Sequence, residues 1–230
     1  MHRHLTGLLH LLQFGDSALP IGSFSFSHGL ESAVQQGFVH NAETLTAFVK
    51  TALQQAATTD GIALVRAYEA AILRDIPMIA QIDRMTFDRK LNEEVRQMSV
   101  RMGRKLSELT VAVVSDDLNG DWLERIKRAE TPGTHPVSLA LALSALGVDA
   151  RDGFAVQQYG VATTILGAAL RLMRLSFIDT QRILHEVFTT IPDICDEVMN
   201  ASLSDMASFA PMNDIFAAVH VKSYVRMFMN

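Results

Sequence analysis

The residues best suited to chemistry lie together in Ser23-Phe24-Ser25-Phe26-Ser27-His28-Gly29. A serine hydroxyl next to an imidazole has the makings of a nucleophile and its base. A nucleophile elbow, however, needs Gly-x-Ser-x-Gly between a strand and a helix. The frame here is Ser25-Phe26-Ser27-His28-Gly29, so the first glycine is missing, and no strand precedes it. Of the eight histidines, His2 and His4 form a loose terminal pair and His220 sits near the other end, and none belongs to a Cys/His cluster with metal-ligand spacing. His185-Glu186 is not followed by a histidine at zincin spacing, and no Gly-x-x-x-x-Gly-Lys provides a P-loop. The single cysteine, Cys195, precedes Asp196 and Glu197, whose charges disfavour a thiolate and so argue against a reactive thiol. With one cysteine there is no intrachain disulfide. The expectation from these residues is a protein that is not an enzyme, with no catalytic, cofactor-binding or metal-ligand residue to name.

The serines belong to a longer stretch, residues 13–31, which mixes Gly15, Pro20, Gly22 and Gly29 with the large apolar residues Leu19, Ile21, Phe24, Phe26 and Leu30. A flexible linker would not carry those side chains. The reading is an ordered turn in which Leu19, Ile21, Phe24 and Phe26 dock on a core, leaving Ser27, His28 and Glu31 near a shared or partner surface.

The elements that hold this turn are helical. The 230-residue chain is 49% hydrophobic, 20% charged and only 7% aromatic, and Ala, Leu and Met are abundant, a mix that favours helix over sheet. Leu5, Leu8, Leu9 and Leu12 give a first apolar face. Asn41 reads as a helix start before the stripe Leu45, Phe48, Val49, Ala52, Leu53, and Thr58-Thr59-Asp60-Gly61 breaks or bends that helix. Leu91, Val95, Met98, Met102, Leu106, Leu109 and Val113 make the clearest amphipathic pattern, with a charged, solvated opposite face. Residues 116–120 read as a turn, 131–136 as a second strong breaker with Pro136 opening a helix, and 155–175 as a central helix apolar on almost every face. Gly160, Thr164 and Ala168, spaced by four, predict a tight helix crossing within the subunit or across a dimer. Arg171 and Arg174 lie at that helix's C-terminal end, where the macrodipole favours cations. The expectation is an all-α protein, a single-domain bundle of roughly ten helices over residues 1–230, with an N-terminal segment 1–12 and a C-terminal tail 212–230.

Net charge is −5 with no long basic run, which excludes phosphate-tracking nucleic-acid binding. The most apolar run, 161–170, is far shorter than the roughly 20 residues that span a bilayer. The N-terminus lacks a small-residue cleavage site, so the expected location is the cytoplasm.

Leu19-Pro20-Ile21-Gly22-Ser23-Phe24-Ser25-Phe26-Ser27-His28-Gly29-Leu30-Glu31 resembles the signature segment of the urease accessory protein UreF family. The likeness extends to Asn92–Arg96 with Met102–Leu106, to His135-Pro136-Val137, to Arg171-Leu172 with Asp179-Thr180-Gln181, and to the ending from His220 to Phe228. The family's Pro-Leu-Gly-Gln is here Arg174-Leu175-Ser176-Phe177, and the lost Pro and Gly suggest that the central helix runs on. The resemblance implies a non-catalytic, all-helical, dimerising chaperone. It would bridge a UreD/UreH-type protein and the GTPase UreG, and assist GTP-dependent nickel insertion into the urease apoprotein. The nickel would be handled by the complex. The likeness of the ending makes 212–230 the partner-binding tail, and the interface residues expected in all are Ser27, His28, Glu31, Arg171, Arg174, His220, Lys222, Tyr224, Arg226 and Phe228. The alternatives are a helical interaction scaffold outside urease maturation and an unrecognised serine/histidine enzyme.

Overall fold

The computed structural model describes residues 2–16, 18–208, 210, 212, 215, 216, 227 and 228, with the side chains of 2–4 and 24 left out of the description. Its helices are α1 (His2–Gly15), α2 (Leu30–Gln35), α3 (Ala42–Ala56), α4 (Ile62–Ile72), α5 (Ile76–Arg89), α6 (Glu93–Val113), α7 (Asp117–Lys127), α8 (His135–Ala145), α9 (Ala150–Leu172), α10 (Phe177–Phe188) and α11 (Ile191–Asn200). No strand occurs among the described residues, and the fold is all-α.

Local chemistry sets most helix starts. Asn41 and Thr44 form a reciprocal capping box on α3, Asp75 accepts the Met78 N–H on α5, and Asn92 accepts two amides on α6. Pro77, Pro136 and Pro192 each occupy the first turn of a helix, where the missing N–H costs nothing. Asp116 caps α7 by accepting the Asn119 amide, so the expected turn at 116–120 is only a cap, and Gly120 is carried inside the helix. Thr58–Gly61 is neither a break nor a simple bend. Residues Ala57–Gly61 form a π turn joining α3 to α4, and Thr58 and Thr59 hydroxyls both donate to the Ala207 carbonyl.

Two apolar clusters make the core. The first gathers α4 and α8 with Leu106, Trp122, Phe154 and Val198. The second gathers α2, α3, α9 and α10 with Phe216 and Phe228. Helix α9 runs between them, giving Phe154 to the first and Ala162, Ile165, Leu166, Ala168 and Ala169 to the second. It keeps an exposed edge at Tyr159 and Leu170, whereas α8 is buried at every position from Pro136 to Leu143.

One expectation about α9 is corrected. α9 does not run on past 172: Met173 is extended, because Ser176 and Asp179 form the capping box of α10 and need an extended approach. Arg174 therefore lies beyond the helix end. Of the small-residue stripe, Ala168 is buried, and a Cβ at Gly160 would meet nothing within 4 Å in this chain. Within the chain, close approaches fall at Gly103 against the Gly133 carbonyl, at Gly153 against Leu143 and at Gly61 against Phe154. The apolar face of α1 is turned outward: Leu5, Leu8, Leu9 and Leu12 are 46–62% exposed.

Candidate functional site at the signature loop

The signature stretch folds as a docked unit. Gly22 is left-handed at φ 91°, Ser23–Ser25 make one 3-10 turn, and Phe26 is extended and 5% exposed. Leu19 and Ile21 pack against the first cluster, and Leu30 lies in the second. His28 (φ 54°) and Gly29 (φ 81°) are consecutive left-handed residues that swing the chain into α2. For histidine that conformation is uncommon and must be held by its surroundings. Phe24 is the one docking residue whose side chain lies outside the description.

Ser27 and Glu31 are 0% and 2% exposed, so they sit inside the chain and not at its surface. The reason is geometric: the two left-handed residues between them fold the turn back on the core. The Ser27 hydroxyl accepts the Glu31 amide at 3.5 Å. Its full burial withholds it from a substrate, against the nucleophile reading. Glu31 reaches the chain's far end. Its carboxylate oxygens accept the Met227 and Phe228 N–H groups at 2.8 and 3.1 Å. The Arg171 guanidinium lies 4.0 Å from the Phe228 ring centroid, a cation–π contact. Glu31, Arg171 and Phe228 are thus brought together. Arg174 is exposed and stands apart. His220, Lys222, Tyr224 and Arg226 lie outside the described residues.

On its other side the loop meets a polar centre. His28 and Asp60 line two cavities between the clusters, Lys90 joins them in one and His135 in the other. Lys90 Nζ lies 2.7 and 3.0 Å from the two Asp60 oxygens. Burial pushes His28 down to about 4, with Lys90 adding to the shift and Asp60 opposing it. Burial likewise lowers His135 to about 4, where Asp60 opposes and Lys90 assists. Both imidazoles are neutral acceptors or donors at neutral pH. No group of three metal-ligating side chains is set for an ion among the described residues.

The His135 end is anchored by Asp83, which is 0% exposed. Its carboxylate accepts from Thr131 Oγ1, Gly133 N, Thr134 N and Thr134 Oγ1 at 2.5–2.7 Å. Ser99 Oγ accepts the His135 N–H at 3.2 Å. Asp60, Lys90, Asp83 and His135 were not among the sequence-derived site residues. Asp60 had one signal, a polar breaker inside a helical stripe, and Asp83 had none.

Fold and site define an all-helical protein whose most specific motif docks chain against chain. The family comparison agrees with that class. A model of the family described as UreF matches residues 39–188. The signature loop and tail lie outside that span, yet within alignments to whole relatives. The chain is 66% identical over 229 residues to urease accessory protein UreF 2 of Brucella canis, covering 100% of this chain and 94% of that one. It is 65% identical over 229 residues to urease accessory protein UreF 1 of Brucella melitensis, covering 100% and 95%. It is 48% identical over 223 residues to urease accessory protein UreF of Yersinia pseudotuberculosis, covering 97% and 98%. The chain belongs to the UreF family. No helix among its described residues is long and apolar enough to cross a membrane.

Proposed function

We propose that this protein is a non-catalytic component of urease maturation. It acts in the cytoplasm as a dimer that bridges a UreD/UreH-type protein and the GTPase UreG. In that complex it assists GTP-dependent delivery of nickel, the cargo, to the urease apoprotein. The observation that carries this reading is identity along the whole chain to proteins named as urease accessory proteins. The architecture is in keeping with it: the specific residues of the signature are spent on docking, and Ser27, the one serine poised as a nucleophile in sequence, is buried. The exposed leucine face of α1 offers apolar surface for assembly.

The test is reconstitution. Urease apoprotein, the UreD-type protein, the UreG-type GTPase, nickel and GTP are combined with and without this chain. The expected result is nickel- and GTP-dependent urease activity only when it is present, with co-purification of the UreD-type protein and the GTPase. Equal activation without it, and no co-purification, would overturn the reading.

A further inference from the structure

We propose that Glu31 is the positioning residue for the C-terminal segment, and that residues 27–31 link the seating of that segment to the placement of His28 in the polar centre. Glu31 is 2% exposed, and its two oxygens take consecutive backbone amides, those of Met227 and Phe228. Main-chain donors carry no side-chain identity, so Glu31 sets where the segment sits. Phe228, 5% exposed beneath Arg171, supplies the side-chain selectivity.

The link follows from how short the turn is. Ser27 is wholly buried, the Leu30 N–H donates to its carbonyl at 3.1 Å, and the Ala33 N–H donates to the Gly29 carbonyl at 3.1 Å. Between these fixed points stand only His28 and Gly29, both left-handed, a conformation uncommon for histidine and held there by its surroundings. His28 lines both polar cavities, and Glu31 holds the Met227 and Phe228 amides. Were the two amides withdrawn, the buried carboxylate would lose its two shortest main-chain donors and keep the longer 3.5 Å one from Gln35 Nε2. Turning α2's first residues to bring it toward water relieves that cost, and the same rotation carries His28 out of its place. Thermodynamic linkage makes the effect reciprocal: disturbing His28 must loosen residues 227 and 228.

The experiment uses the full-length chain. Hydrogen exchange is read at the 227 and 228 amides, and the His28 ring is followed by NMR, in wild type, Glu31→Ala, Glu31→Gln and His28→Ala. The Glu31→Ala variant is expected to raise exchange at 227 and 228 by about 10- to 100-fold, the worth of hydrogen bonds to a charged group. It should also shift the His28 ring signals, with Glu31→Gln intermediate in both. His28→Ala, which touches neither amide, should raise exchange at 227 and 228 while α7 amides stay as they are. Unchanged exchange in Glu31→Ala overturns the positioning role, and unchanged exchange in His28→Ala overturns the link. If circular dichroism shows Glu31→Ala to be unfolded, Glu31→Gln and His28→Ala decide both points by the same readings.

Discussion

Lys90 Nζ sits 2.7 Å from one Asp60 oxygen and 3.0 Å from the other, with 8% of the lysine side chain and 22% of the aspartate side chain exposed. The pair joins the end of α5 to the π turn, so it fixes two elements that share no helix. Removing one member leaves the other charge poorly solvated. Asp60→Ala is expected to cost about 3 kcal/mol, the lower end for buried pairs because Asp60 keeps some water. Urea unfolding of Asp60→Ala, Lys90→Met and the double variant checks it, the double recovering part of the loss. A single-variant loss under about 1 kcal/mol, typical of exposed pairs, would show that the pair is solvated.

The two lowered histidines give stability a pH dependence of definite sign. His28 and His135 titrate at about 4 in the folded chain against 6.5 ordinarily. Between those values the unfolded chain binds more protons, so stability rises with pH. It should be level above about 6.5, fall as pH drops through the window, and level again for these groups below about 4, each contributing up to about 1.4 kcal/mol per pH unit. Melting curves from pH 7.5 to 5 measure this, and the slope should shrink in His28→Gln/His135→Gln. An identical slope in the double variant would assign the effect to other groups.

Gly103→Ala separates helix propensity from packing. On an open helix the change would gain about 1 kcal/mol. Here a Cβ on Gly103 would stand 2.1 Å from the Gly133 carbonyl oxygen and 2.6 Å from the Thr134 carbonyl carbon. Both are backbone atoms held by Asp83, so neither can swing aside. Overpacking should win, for a net loss of about 1–3 kcal/mol. A raised melting temperature would mean that the 131–135 loop is free to move.

Asp83 itself is the strongest anchor of that loop. Asp83→Ala orphans donors from Thr131, Gly133 and Thr134 in a site of 0% exposure. Each buried unsatisfied donor costs about 1–3 kcal/mol, so a loss of several kcal/mol is expected, and Asp83→Asn should lose less because one oxygen remains. Chemical denaturation of both variants checks the ranking. Equal stability of wild type and Asp83→Ala would require that water replaces the carboxylate.

Much of the architecture is legible locally. Asn41-Ala42-Glu43-Thr44 announces a helix start, and the structure shows the reciprocal cap that makes it one. The mixture of breakers and large apolar groups in 13–31 announces a docked turn, and Phe26 and Leu30 are buried in it. What the sequence does not show is pairing at distance. Glu31 and Phe228 are 197 residues apart and meet only through the fold, and so do Asp83 and Thr134, 51 apart. No periodicity encodes such contacts. The end of α9 is hidden for a related reason. Ser176 and Asp179 form a box that outweighs the apolar pattern leading into them.

The π turn has a further consequence, one of phase. From Ala42 to Ile72 the backbone stays coiled without interruption, through Ala57–Gly61. A wider turn of this kind takes up one more residue than an α turn, and one residue on a helix is about 100° of rotation. The stripe Leu45, Phe48, Val49, Ala52, Leu53 faces the second cluster, whereas Ile62, Ala63, Leu64, Val65 and Ala67 face the first. The five residues therefore act as a rotary joint frozen at one setting. They let a single rod address two cores that lie on different sides of it, and they place Asp60 at the point where the rod changes the face it presents.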